Sequence, residues 1–299
     1  MGASKITLQA GTATLSGIYA AAQGVPRALI FGIHGGSYTS HYFNYRSMAG
    51  QTLFDLAPSL GYSVVAIDRP GYGLASGLKP SFDEQAPMLA DAAKRALGEY
   101  APGSAGVFIV GHSIGGMLAT LIAAHHPFPE LIGLDVSGAG LEDGNPAVSA
   151  MLKNISAQTA PSLRSTKEAR TSRMFGPPGT WDAGVPDEDY DESPPSRPHE
   201  IREAVAWGER VPQVAPKVRV PIRVMLAEHD GIWRATPDII QRLGALHTAS
   251  PRVEPGIQPA AGHCNHLHKT ARAYNLRTLA FIDECVQSAP PPDTETLKR

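Results

Sequence analysis

The chain is poor in what would tie it to an oxidising compartment, to polyanions or to a bilayer. It has two cysteines, Cys264 and Cys285, among 299 residues. They build no disulfide framework and no paired-cysteine metal pattern, so buried thiols are expected. Lysine and arginine number 26 against 28 aspartates and glutamates, a formal net charge of −2. That balance gives no electrostatic reason to expect nucleic acid or an anionic membrane as partner. No window approaches the ~18 uninterrupted apolar residues of a spanning helix. The opening "MGASKITLQAGTATLSG" lacks the apolar core of a secretion signal, and Ile6 stands where a myristoylation motif wants Ser or Thr. A cytoplasmic protein acting on a small molecule is the expectation. Hydrophobic residues make up 42% and charged residues 18%, and the length suits one large domain or a core carrying an insertion.

What the chain does have is alternation. Ile6 to Leu8 and Thr12 to Ala20 alternate with period two and read as an opening hairpin. Buried strands follow in "RALIFGIHGG", "YSVVAIDRPGYG", "AGVFIVGHS", "ELIGLDVSG" and "VPIRVMLAEHD", with a weaker one in "RVEPGIQPAAGH". Helical patterns lie between them: "YRSMAGQTLFDLAPSLG" with Gly61 as its stop, "SFDEQAPMLADAAKRALGEY" with a Ser81–Glu84 capping box, "IGGMLATLIAAHH", "TPDIIQRLGALH" and a closing "NHLHKTARAYNLRTLAFIDECV". Strand–helix alternation implies an α/β protein with a mostly parallel sheet covered on both faces. Functional residues of such sheets gather beyond the carboxyl ends of the strands.

Residues 141–214 break the rhythm. "FGPPGTWDAGVPDEDYDESPPSRPHE" is dense in proline and acid, with helical patterns on either side, and reads as a largely loop-built, mobile cap or lid over the carboxyl edge. The expected division is a core of residues 1–140 and 215–288, an insertion over 141–214 and a loose tail over 289–299.

The chemistry concentrates where strands end. "VFIVGHSIGGMLATLIAAHH" turns from strand to helix through Gly111-His112-Ser113-Ile114-Gly115-Gly116, so a serine sits between glycines on a sharp turn. A chain this long shows G-x-S-x-G by chance about one time in five. Three other strand ends join it: His34-Gly35-Gly36-Ser37-Tyr38, Glu228-His229-Asp230 and Ala261-Gly262-His263. A serine hydroxyl needs an adjacent base, and the base needs a carboxylate to fix its tautomer. Asp230 competes for the acid's place with Glu228 and Asp135; His263 competes with His266 and His268, which read equally as solvated surface residues.

The order nucleophile, acid, histidine, with a glycine loop upstream, resembles the α/β-hydrolase fold superfamily, in particular its serine esterases. The resemblance runs from about Ile6 to Val286 and includes Asp68-Arg69-Pro70-Gly71-Tyr72-Gly73, a turn that is structural in most members. It implies Ser113 as nucleophile, His263 as base, Asp230 as acid, and the Gly36 and Ile114 amides as an oxyanion hole. His34 is expected to brace the oxyanion loop, His112 to pack beside the elbow, and Cys264 to be a packing residue. Tyr38, Trp233 and Arg234 are candidate pocket residues. The implied reaction is hydrolysis of a small or medium carboxylic ester with no metal or organic cofactor. Carbon–carbon bond hydrolysis, thioester or lactone cleavage on the same triad, and a ligand-binding receptor of the same fold, are the alternatives.

Overall fold

The computed structural model describes residues 2–160 and 162–289. The tail expected at 289–299 lies, apart from Ala289, outside them. Eight strands form one sheet in the order β1-β2-β4-β3-β5-β6-β7-β8. β1 (Ser4–Ala10) and β2 (Ala13–Ala20) form the expected hairpin, and β2 also runs antiparallel to β4 (Tyr62–Ile67). From β4 onward every pairing is parallel: β3 (Ala28–Ile33), β5 (Val107–His112), β6 (Leu131–Ser137), β7 (Ile222–Ala227) and β8 (Val253–Gln258).

β3, β4, β5, β6 and β7 are buried along their whole length, whereas edge strand β8 is only partly so. Burial on both faces is why the central strands read as continuous apolar runs and β8 as a weak one. Alternate side chains serve opposite faces. Leu29, Phe31 and Ile33 pack with α2 (Phe82–Tyr100) and α3 (Ile114–His125), while Ile30, Val64 and Phe108 pack with α10 (Ala271–Ser288). The Ser81–Glu84 capping box starts α2 as its spacing implies.

Three expectations change. The helix expected over residues 45–61 is a series of single turns, among them Arg46–Met48, α1 (Leu53–Leu56) and Pro58–Leu60. Gly50 at φ +79° breaks it, a Thr52–Asp55 capping box restarts it, and Gly61 at φ +85° stops it. The closing helix begins at Ala271, because Asn265–Leu267 form a separate 3₁₀ turn drawn into the loop before it. Residues 141–214 are largely helical rather than loop: α4 (Pro146–Ser156), α5 (Lys167–Phe175), α6 (Val185–Glu192), α7 (Pro198–Val205) and α8 (Trp207–Val214). Pro146, Pro186 and Pro198 sit in first turns, where a missing N–H is harmless. Asp187 and Glu188 likewise occupy the first turn of α6, where the helix dipole favours them. The residues that read as loop punctuation are helix starts. Last among the helices comes α9 (Pro237–Ala245), between β7 and β8. Among the described residues no helix is long and apolar enough to cross a membrane.

Candidate active site

Parallel pairing brings the carboxyl ends of β3, β5, β7 and β8 to one edge. Ser113 follows β5 at φ 53°, ψ −120°, a conformation L-residues seldom adopt. Its neighbours explain how the turn closes. A Cβ at Gly115 would lie 1.9 Å from the Ile33 carbonyl oxygen, and one at Gly111 2.5 Å from that of Gly115. At Gly116 it would meet Val136 at 2.9 Å. Each glycine is therefore required by contact with backbone or sheet. The Ser113 amide donates to the Ser137 carbonyl at 2.7 Å, which ties the turn to β6. Ser113 Oγ has no hydrogen-bond partner among the described residues, and Ser113 lines a cavity above the sheet.

His263 lines the same cavity. Its Nδ1 is 2.9 Å from Asp230 Oδ2 and 3.1 Å from Oδ1, and both side chains are fully buried. Asp230 is held in turn: Oδ1 accepts from the Ile232 and Trp233 amides at 2.8 and 3.0 Å. A carboxylate accepts only, so Nδ1 carries the proton and Nε2 is left as an acceptor. That nitrogen is buried without a partner among the described residues. The two rival acids are elsewhere. Glu228 is exposed and accepts from the Ala260 amide. Asp135 is buried on β6 between Arg223, Tyr274 and Thr278.

His266 and His268 are buried, not solvated as the sequence allowed. His266 Nδ1 bonds Asn275, and His268 Nε2 accepts from the Gly262 amide at 2.9 Å, fixing the turn that carries His263. Burial pulls both down to about 4, so they are neutral near pH 7. His112 stacks on Tyr42 and has its ring 5.0 Å from that of His263. His34 Nε2 accepts from the Arg69 amide at 3.0 Å, and its Nδ1 donates to the Gly35 carbonyl. Burial and the Arg69 charge hold His34 well below the usual histidine range. The loop it braces presents Gly36 to the cavity, and a Cβ there would lie 2.8 Å from Ile114 Cδ1. Neither the Gly36 nor the Ile114 amide has an acceptor among the described residues.

Of the candidate pocket residues, Trp233 lines the cavity. Tyr38 and Arg234 do not, and the expectation for both is corrected. Tyr38 is buried with its hydroxyl 2.9 Å from Cys264 Sγ and the Arg170 guanidinium 4.6 Å above its ring. Arg234 is exposed and pairs with Glu142. Cys264 and Cys285 are both free and buried.

Helices α5, α6 and α7 supply what sequence reading missed. Arg69 forms a buried pair with Glu200 of α7 at 2.8 Å, shared with Gln85 and the Tyr72 hydroxyl. Arg170 of α5 pairs with Asp189 of α6, also buried. Arg173 of α5 lines the cavity itself. The arginines of "KEARTSRMF" lie three apart, so one helix face was foreseeable, but not that it turns inward. The resulting cavity is walled by apolar residues such as Met117, Leu152, Ile155, Ile201 and Trp233.

Comparison with known proteins agrees with this architecture. Residues 30–274 match a family described as the alpha/beta hydrolase family. A sequence comparison with curated proteins finds no match. Among solved structures, a thermostable carboxyl esterase from Bacillus coagulans is similar at TM-score 0.68 and 19% identity, covering 96% of this chain and 99% of that one. A soluble variant of the Saccharomyces cerevisiae monoglyceride lipase is similar at TM-score 0.75 and 16% identity, covering 95% of each chain. A serine hydrolase involved in carbazole degradation is similar at TM-score 0.60 and 19% identity, covering 95% of this chain and 100% of its own. At such identities the likeness speaks for the fold alone. With the family match spanning most of the chain and the same fold in all three structures, the chain belongs to the alpha/beta hydrolase family.

Proposed function

We propose that the protein is a serine hydrolase that cleaves a small or medium carboxylic ester through an acyl-enzyme. The observation that carries this reading is the meeting, on one cavity, of Ser113 in its strained turn with His263 buried against Asp230. Ser113 Oγ attacks the ester carbonyl while His263 Nε2 takes its proton. Asp230 keeps the imidazole in the right tautomer and stabilises its cation. The developing oxyanion receives the Gly36 and Ile114 amides, which have no other acceptor among the described residues. His263 then protonates the leaving alcohol, and a water activated by the same nitrogen releases the acid and restores Ser113. Helices α4, α5 and α7 wall the cavity opposite the sheet edge, and we read residues 141–214 as a cap that sets substrate choice.

The test joins labelling to turnover. A fluorophosphonate should modify Ser113 and no other residue, and Ser113→Ala should lower kcat on p-nitrophenyl esters by about 10⁴–10⁶. Labelling elsewhere, or an active alanine variant, ends the nucleophile assignment. Rapid turnover of a vinylogous diketone with none of the esters would move the reading to carbon–carbon bond hydrolysis.

A further inference from the structure

Among the described residues three Lys or Arg side chains line the cavity: Lys153, Arg170 and Arg173. Two have an acid of their own. Lys153 lies 3.5 Å from Asp143 and is largely exposed. Arg170 gives Nε and Nη2 to the two oxygens of Asp189 at 2.5 and 3.3 Å. Arg173 has no carboxylate partner among the described residues. It is 7% exposed, and its one hydrogen-bond-range contact is Nη1 to the Met151 sulfur at 3.5 Å. Burial and the like charge of Arg170 both push against its cationic form. A guanidinium keeps its proton regardless, so among the described residues the cavity holds one uncompensated positive charge.

Among the described residues Asp143 is the one acidic side chain on the cavity wall, and Lys153 already occupies it. Stranding a charge among apolar walls is costly unless something that enters pairs with it. The planar fork of a guanidinium matches a carboxylate in two parallel hydrogen bonds. Charge balance favours a monoanion: one carboxylate neutralises Arg173, whereas a phosphate dianion would leave a net negative charge in the same apolar space.

We propose that Arg173 is the anion-binding group of this cavity, and that the substrate is an ester carrying one free carboxylate. The carboxylate pairs with Arg173 while the ester carbonyl lies between Ser113 and the Gly36 and Ile114 amides. The substrate class rests on the hydrolase reading above; the anion site does not.

The experiment uses two matched pairs of esters, each rate corrected for spontaneous hydrolysis. Mono-4-nitrophenyl adipate is compared with its methyl ester, which places the carboxylate on the acyl side. 4-Acetoxybenzoate is compared with its methyl ester, which places it on the leaving group. Wild-type kcat/KM should favour the acid over its methyl ester about 10- to 100-fold in at least one pair. Arg173→Met should bring that ratio near one, and Arg173→Lys should keep part of it. No preference in either pair, or a preference that survives Arg173→Met, overturns the proposal. Binding is read separately in the Ser113→Ala variant. Monomethyl adipate should raise its Tm but not that of Ser113→Ala/Arg173→Met, and with no ligand Arg173→Met should melt higher than wild type. A lower Tm for ligand-free Arg173→Met counts against an unpaired charge there. Carboxylate binding without turnover of any ester ends the hydrolase reading alone; turnover of neutral esters with no carboxylate binding and no preference ends the Arg173 site alone.

Discussion

At the carboxyl edge of the sheet, positions are set by backbone meeting backbone; in the helices above it, they are set by buried charge. Gly115 lies under the Ile33 carbonyl, and Gly111 lies against that of Gly115. Across the cavity, Glu200 holds α7 to Arg69, and Asp189 holds Arg170 of α5. Backbone approach fails abruptly when a single methyl group is added. A buried ion pair fails when one partner goes, because the other is left uncompensated. The two sides of the site should therefore respond to different substitutions.

Removing a charge at the sheet edge should have the largest effect, and should be seen in rate more than in stability. Asp230→Asn should lower kcat by roughly 10⁴ by presenting the wrong histidine tautomer, whereas Glu228→Gln, at an exposed side chain that accepts from the Ala260 amide, should be mild. Steady-state kinetics on one ester checks both, and reversed losses would put the acid two residues away.

Gly115→Ala should destabilise by about 3 kcal/mol or more, since its Cβ would collide with the Ile33 carbonyl at 1.9 Å. Gly98→Ala is the control: it sits in α2 with nothing within 4 Å, and should stabilise by about 0.5–1 kcal/mol. Urea unfolding measures both, and equal effects would remove the close-approach argument.

On the other side of the cavity, Glu200→Ala should cost about 3–5 kcal/mol by stranding Arg69. Arg95→Ala, in an exposed pair with Asp91, should cost under about 1 kcal/mol. Similar losses for the two would mean that burial does not set the strength of these pairs.

The smallest effect concerns pH. His266 and His268 are pulled down to about 4 in the folded protein, against about 6.5 in an unfolded chain. Between those values the unfolded chain binds more protons, so the stability each histidine contributes is complete above pH 6.5 and is lost as pH falls toward 4. Tm should decline over that window, and less steeply in His268→Gln, whose amide oxygen can still accept from Gly262. An unchanged slope in that variant would show that His268 takes no part in the acid limb.

Which of these features were legible in advance follows from the same contrast. Apolar runs, glycine turns, capping boxes and the order of Ser113, Asp230 and His263 are local patterns, and they sufficed for the sheet and for the residues gathered at its edge. The prolines and acids of residues 176–198 misled because one composition serves a loop or a helix's first turn, and only the neighbouring turns decide between them. Whether Tyr38 or Arg234 reaches the cavity depends on side-chain direction, which adjacency to a strand end does not supply; Tyr38 turns toward Cys264 and Arg234 toward Glu142.

The sequence by itself determined the α/β alternation, the turn that holds Ser113 and the chain order of its partners, because steric limits on glycine and the periodicity of burial act over a few residues. The tertiary structure alone decided that Asp230 rather than Glu228 or Asp135 meets His263, that Arg69 finds Glu200 131 residues away, and that Arg173 turns inward without a partner. Charges act through space and not along the chain, so their pairing is settled only once the fold has brought them together.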